Sequence, residues 1–178
     1  MQLTTPRLLL RPHQPDDLPF MLELNSDPEV IRYTGDPPFE SDDEALAILA
    51  RLERQQERDR MSRLVVIDRA TGEKLGWCGL KWMEEDQEVD LGYRFHRRYW
   101  GKGYATESSI ACLEYGFGEL KLGRIVARAM AENVASVRVL EKLGFRRIGS
   151  TTIGDASALS FEFLREEWRR PSIPSHGP

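Results

Sequence analysis

Residues Arg97 to Ala105 read R-R-Y-W-G-K-G-Y-A and stand between a run of strand character and a run of helix character. Arg98, Gly101 and Gly103 fall at R-x-x-G-x-G spacing, so the backbone can turn tightly there with few side chains in the way. Several N–H groups of such a turn point at one spot. Tyr104 to Phe117 has helical character, so the unpaired N–H groups and positive dipole end of that helix face the same spot. Arg97, Arg98 and Lys102 add positive charge around it, in a chain whose formal net charge is -4. This is how a chain holds a diphosphate, although a Gly-rich strand-to-helix turn can also be only a turn.

Outward from that stretch the periods alternate. Glu88 to Phe95 alternates in the manner of a strand, with Val89, Leu91, Tyr93 and Phe95 on one face and Glu88, Asp90 and Gly92 on the other. Leu64 to Asp68, a turn at Ala70 to Glu73, and Leu75 to Trp82 read as a hairpin upstream of it. Leu3 to Arg11 reads as an opening strand ended by Pro12. Asp16 and Asp17 are placed to cap a helix running to Asn25, and Asp27-Pro28 opens a second helical turn. Ser41 with Glu44 has capping-box spacing before a helix with Leu46, Leu49 and Leu52 inward. Downstream, Arg124 to Met130 is a strand, and Asn133 starts a helix with Val137, Leu140 and Leu143 inward, stopped by Gly144. Phe145 to Ile153 and Ala158 to Leu164 form a last strand pair. The pattern predicts an α/β (α+β) sheet with helices on both faces. It also predicts one domain over 1–170, with a disordered tail over 171–178.

Composition narrows the function. The 178 residues suit one domain able to bury a core without staples, and net acidity argues against a broad nucleic-acid face. Cys78 and Cys112 form no disulfide framework and no zinc spacing, and three scattered His residues make no metal cluster. The apolar run Leu8 to Leu10 is too brief for a signal peptide or membrane span, so the expected compartment is the cytoplasm. The glycine turn lacks the triphosphatase and dinucleotide patterns, and no Ser lies in a G-x-S-x-G elbow.

Several motifs then fall in one order: Asp90-Leu91-Gly92-Tyr93, Arg98-Tyr99-Trp100-Gly101-Lys102-Gly103-Tyr104-Ala105, Asn133-Val134-Ala135-Ser136 and Glu141-Lys142-Leu143-Gly144-Phe145. In this the chain resembles the GNAT family of acetyl-CoA-dependent N-acetyltransferases. Its opening Thr5-Pro6-Arg7-Leu8-Leu9-Leu10-Arg11 is similar to the branch of RimJ and RimL type, which acetylates ribosomal-protein N-termini. The resemblance implies a mixed, mostly antiparallel twisted sheet of about seven strands with one splayed strand pair. It implies that Arg98 to Gly103 cradles the coenzyme A pyrophosphate, with Tyr104 and Ala105 at the helix start. Pantetheine would pair with backbone of the Glu88 to Phe95 strand, where Tyr93 and Phe95 also offer N–H groups to an oxyanion. Asn133 would lie by the pantetheine arm, Ser136 would meet the sulfur, and Lys142 would reach the adenosine phosphates.

For chemistry, Asp90 occupies the position of an acid that accepts the amine's proton, with Glu88 in reserve, or else the pair only binds a cationic substrate. Many family members carry Tyr at the position of Leu140, and an aliphatic side chain donates no proton. Sulfur stabilisation then falls to Ser136 or to solvent. The acceptor end is expected among the first helices, the Tyr33 to Phe39 loop and the last strand pair, with Trp77, Trp82, Glu84, Glu85 and Asp86 as features. Peptide α-amines, polyamines and aminoglycoside-like amines remain open as acceptors. A non-catalytic acyl-CoA-binding module is the rival class, and exposed strand edges are compatible with a homodimer.

Overall fold

Pro6 has no N–H to give a strand ladder, and the chain turns there. In the computed structural model, which describes residues 1–169, the N-terminal run is a hairpin rather than the single strand expected from Leu3 to Arg11. Strands β1 (Leu3–Thr4) and β2 (Leu8–Arg11) pair antiparallel with Leu3 opposite Leu10. The Thr5 N–H donates to the Leu8 carbonyl at 2.9 Å, and the Leu8 N–H donates back to Thr5 Oγ1 at 2.9 Å. The tail expected over 171–178 lies outside the described residues.

Three helices follow: α1 (Leu18–Ser26), α2 (Pro28–Ile31) and α3 (Asp42–Asp59). Asp17 does not cap α1 as expected. Its fully buried carboxylate instead accepts from Arg11 of β2 at 2.6 Å and from the Gln14 N–H at 2.8 Å, and meets Lys74 at 2.6 Å. In α3 the Ser41 hydroxyl accepts from the Glu44 N–H, but the Glu44 carboxylate returns to Glu40 rather than closing the box on Ser41. Ala45, Leu49 and Leu52 form its buried stripe, and Leu46, expected inside, is exposed.

The sheet continues with β3 (Arg63–Asp68), β4 (Lys74–Met83) and β5 (Glu88–Phe95), each antiparallel to the one before. Helix α4 (Tyr104–Glu114) ends in a widened turn over Tyr115–Glu119, where the Leu120 N–H reaches back to Tyr115. Gly116 in that turn packs onto the sheet: a Cβ there would lie 2.8 Å from Leu80 and 2.9 Å from Ile125. Then come β6 (Arg124–Met130), α5 (Val134–Leu143), β7 (Arg146–Ile153) and β8 (Ala156–Leu164).

The eight strands lie in the order β1-β2-β3-β4-β5-β6-β8-β7, one more than expected because the first strand is split. All neighbours are antiparallel except β5 and β6, which run parallel and register only at Asp90 opposite Val126. Beyond that point the two strands part. Helices cover both faces: Phe20, Met21, Leu24, Val30 and Leu49 pack on Val65, while Leu113, Leu140 and Leu143 pack among Leu80, Leu91 and Ile125. Cys78 and Cys112 are free and buried as expected of small hydrophobes, with their sulfurs 3.8 Å apart. Among the described residues no helix is long and apolar enough to cross a membrane.

Candidate active site

The parting of β5 from β6 follows from what each strand carries next. His96, just past β5, donates its N–H to Leu75 of β4 at 3.0 Å. Backbone direction alternates along a strand, so the N–H and C=O groups of Tyr93 and Phe95 point the other way, toward the gap. There they open onto a cavity of about 950 Å³ that runs from the start of α4 through the sheet to the loop after α2. The Phe95 carbonyl accepts from the indole N–H of Trp100 at 2.8 Å, while no β6 residue registers opposite Tyr93.

One end of the cavity is the glycine turn. Gly101 and Gly103 both have left-handed φ, +74° and +80°, and a Cβ at Gly101 would meet nothing within 4 Å. Both glycines line the cavity with Trp100, Tyr104, Ala105 and Thr106, so the free N–H groups at the start of α4 open into it. The turn is braced from outside. Glu107 in the first turn of α4 accepts from Thr5 Oγ1 at 2.6 Å, the Arg7 N–H at 3.0 Å and Arg7 Nε at 2.6 Å, and Arg7 also donates to the Lys102 carbonyl at 3.1 Å. This tie between the first hairpin and the glycine turn was not foreseen, because nothing local links Arg7 to Glu107.

Arg98 and Lys102, expected beside the phosphates, are not among the lining residues. Arg98 pairs with Glu23 of α1 at 3.0 Å, and both cations lie over the Tyr99 ring. The cations that do line this end are Lys142 and Arg138, one helical turn apart on α5. Arg138 was missed, although its spacing from Lys142 was the available signal.

At the middle, Asn133 Oδ1 accepts the Ser136 N–H at 3.1 Å and so caps α5, as its position suggested. That cap sets Ser136 toward β5, where its hydroxyl lies 2.8 Å from the Tyr93 hydroxyl. The phenol also lies 3.2 Å from the Ser136 carbonyl. Burial pushes the Tyr93 phenol well above its ordinary range, with Ser136 offsetting only part of this, so the phenol stays protonated. Leu140, where a Tyr was absent, is buried in the core.

Asp90 and Ser136 line the same cavity from opposite sides of the sheet. Asp90 Oδ2 is held by the Arg63 guanidinium, which also reaches the Asp90 and Gly79 carbonyls. Gly92 makes room for this: a Cβ there would lie 2.6 Å from the Arg63 guanidinium. Glu88 stands apart from the cavity lining, paired with Arg124 and 3.8 Å from Arg128.

The far end is lined by Tyr33, Trp77, Lys81, Arg94 and the tip of the last hairpin, Thr152 to Gly154. Gly35, at φ +72°, brings the loop against that tip, since a Cβ on it would lie 2.6 Å from Ile153. Of the other features expected here, Phe39 packs with the α1 and α3 core and Trp82 against the main core. Glu84 pairs with Arg58, Asp86 pairs with Arg128, and none of the acids of that turn lines the cavity. Among the described residues no group of three or more His, Cys, Asp or Glu could hold a metal ion.

The model of the acetyltransferase (GNAT) domain matches residues 7–146. The chain belongs to the GNAT family. This GNAT protein is 32% identical over 148 residues to the uncharacterized N-acetyltransferase p20 of Bacillus licheniformis, covering 83% of each chain. It is 33% identical over 149 residues to the uncharacterized N-acetyltransferase YnaD of Bacillus subtilis, covering 84% of this chain and 85% of that one. The crystal structure of a GNAT-family acetyltransferase from Bacillus anthracis superposes with a TM-score of 0.82 at 28% identity, covering 94% of this chain and all of the other. The protein is an acetyl-CoA-dependent N-acetyltransferase. Its cavity fits that co-substrate on its own terms: open glycines with left-handed φ and a helix start suit a diphosphate, and Arg138 and Lys142 add charge beside them. The unpaired backbone of β5 suits an amide-bearing arm.

Proposed function

We propose that the enzyme transfers the acetyl group by direct attack of a primary amine on acetyl-CoA bound in one ternary complex. The acceptor is a peptide or protein α-amine, as the similarity of Thr5 to Arg11 to the RimJ and RimL branch implies. One observation carries the reading: a single cavity is lined by Gly101 and Gly103 of the glycine turn, by Ser136 and by Asp90.

In this scheme the glycine turn, Arg138 and Lys142 hold the phosphates, and the Tyr93 and Phe95 backbone aligns the arm. The amine nitrogen forms a bond to the thioester carbon, and an N–H of the Tyr93 to Phe95 segment stabilises the oxyanion. Asp90 Oδ2 is committed to Arg63, so Oδ1 takes the amine's proton directly or through water. The C–S bond then breaks and its electrons go to sulfur. With the Tyr93 hydroxyl as the donor of its contact with Ser136 Oγ, the serine's own proton is left for the thiolate, and the thiolate is finally protonated from water. Ser136 thus acts as a hydrogen-bond donor, and most of the acceleration is alignment of two bound reactants, worth up to ~7–11 kcal/mol.

The test is thiol release from acetyl-CoA with peptides of varied first residue beside small amines, and mass measurement of the product. Amine-dependent thiol release with a 42 Da gain on the acceptor, the acetyl-for-hydrogen increment, is expected. Calorimetric binding of acetyl-CoA without thiol release from any amine would leave the non-catalytic binding module instead.

A further inference from the structure

Lys81 is a cation of the acceptor end that the scheme above leaves unused and that has no ion-pair partner among the described residues. It stands on β4 directly opposite Asp90 of β5, and two-residue alternation puts it on the sheet face that also carries Trp77, Arg94 and Asp90. That face forms the floor of the acceptor end.

Three cations near it carry acidic partners. Arg63 has Asp90, Arg94 has Asp36 at 2.7 Å and Arg128 has Asp86 at 2.5 Å. Arg63 and Arg94 also flank the Trp77 ring, 5.5 Å and 5.2 Å from its centre. Lys81 has no hydrogen-bond or salt-bridge partner among the described residues, although it is partly buried and lines the cavity. Burial first, then Arg63 and Arg51, press its pKa below the ordinary lysine range, while Asp90 and Asp36 oppose this. A partly desolvated ammonium among like charges is costly unless an anion arrives with the ligand.

We propose that Lys81 is an anion subsite of the acceptor end, and that the amine this enzyme acetylates carries a carboxylate that meets it. The proposal rests on the acetyltransfer reading and deepens its substrate class. Lys81 and Asp90 stand on adjacent strands about 5 Å apart, so a molecule whose amine meets Asp90 and whose carboxylate is a few bonds away can reach Lys81. A peptide opening with Asp or Glu meets that condition, as does a free amino acid. A polyamine does not: its second ammonium would enter a floor already holding Arg63, Lys81 and Arg94.

The experiment compares a short peptide amide opening with Asp, its counterpart opening with Asn, and spermidine, in the parent enzyme and in Lys81→Met and Lys81→Arg. The parent should favour the Asp peptide over the Asn peptide by about tenfold or more in kcat/KM, and over spermidine by more. Lys81→Met should collapse that ratio to within about twofold through the KM of the Asp peptide, and Lys81→Arg should keep most of it. Equal use of the two peptides by the parent, or spermidine as the best acceptor, overturns the subsite without any variant needing to fold. An equal fall in kcat for both peptides in Lys81→Met also overturns it, since that marks a proton-transfer role. Absence of thiol release with every amine is the separate signature that acetyl transfer itself is wrong.

Discussion

Tyr93→Phe tests the hydroxyl pair that the proposed scheme sets against the thioester sulfur. The change removes one oxygen and keeps the ring, so packing of Tyr93 against the core is retained. What is lost is a hydroxyl that lies 2.8 Å from Ser136 Oγ and donates to the Ser136 carbonyl at 3.2 Å. A buried acceptor left without its donor costs about 1–3 kcal/mol, and a hydroxyl freed to rotate no longer keeps its proton on the sulfur. If about 1.4–2 kcal/mol of this falls on the transition state, kcat drops roughly 10- to 30-fold. The assay is steady-state thiol release with acetyl-CoA varied at saturating acceptor, alongside calorimetric titration of acetyl-CoA and a melting curve. Affinity for acetyl-CoA should stay within about threefold, because the loss belongs to the departing sulfur. Ser136→Ala should lower kcat by at least as much, and the double variant should be no worse than Ser136→Ala alone, since Tyr93 acts through that serine. Because burial holds the phenol protonated, the parent should show no alkaline fall in rate below pH 10 that Tyr93→Phe abolishes. Unchanged turnover in Tyr93→Phe, or fully additive losses in the double variant, would refute the coupling.

Two further outcomes test the framework. Gly103→Ala has space for its methyl, 3.5 Å from Arg7, but the wrong φ; it should cost about 1–2 kcal/mol in urea unfolding and weaken acetyl-CoA binding by calorimetry, whereas Gly118→Ala, with open space and no left-handed φ, should do neither. Asp17→Asn strips the anion from Arg11 and Lys74 and should cost about 3–5 kcal/mol, read in the same unfolding assay. Burial raises the Asp17 pKa, but Arg11, Lys74 and the Gln14 N–H outweigh it, so the folded value lies well below the ordinary aspartate value of 3.8. This contribution to stability is therefore full above pH 3.8 and lost as pH falls below it, and the low-pH loss should be smaller in Asp17→Asn.

Where a function depends on neighbours in the chain, the residues announced it. The glycine turn and helix start, the Asn133 cap, the face alternation of Glu88 to Phe95 and the hairpin tip at Gly154 are each local, set by backbone freedom, capping and two-residue periodicity. Local signals misled where they competed with distant partners. Asp17 looked like a helix cap and became a buried hub, because Arg11 and Lys74 offer it more than helix N–H groups do. Arg98, expected at the phosphates, pairs with Glu23 of α1 and is not among the lining residues.

By itself the sequence determined that a glycine turn would sit between a strand and a helix, that Ser136 would lie in the first turn of the next helix, and that Leu140 could donate nothing. Only the tertiary structure decided what those residues face. The pairing of Tyr93 with Ser136, the commitment of Asp90 to Arg63 and the lack of a partner for Lys81 are distances between separate elements. They arise when β5 and β6 part and α5 packs across the gap, and no periodicity along the chain encodes which side chains meet there.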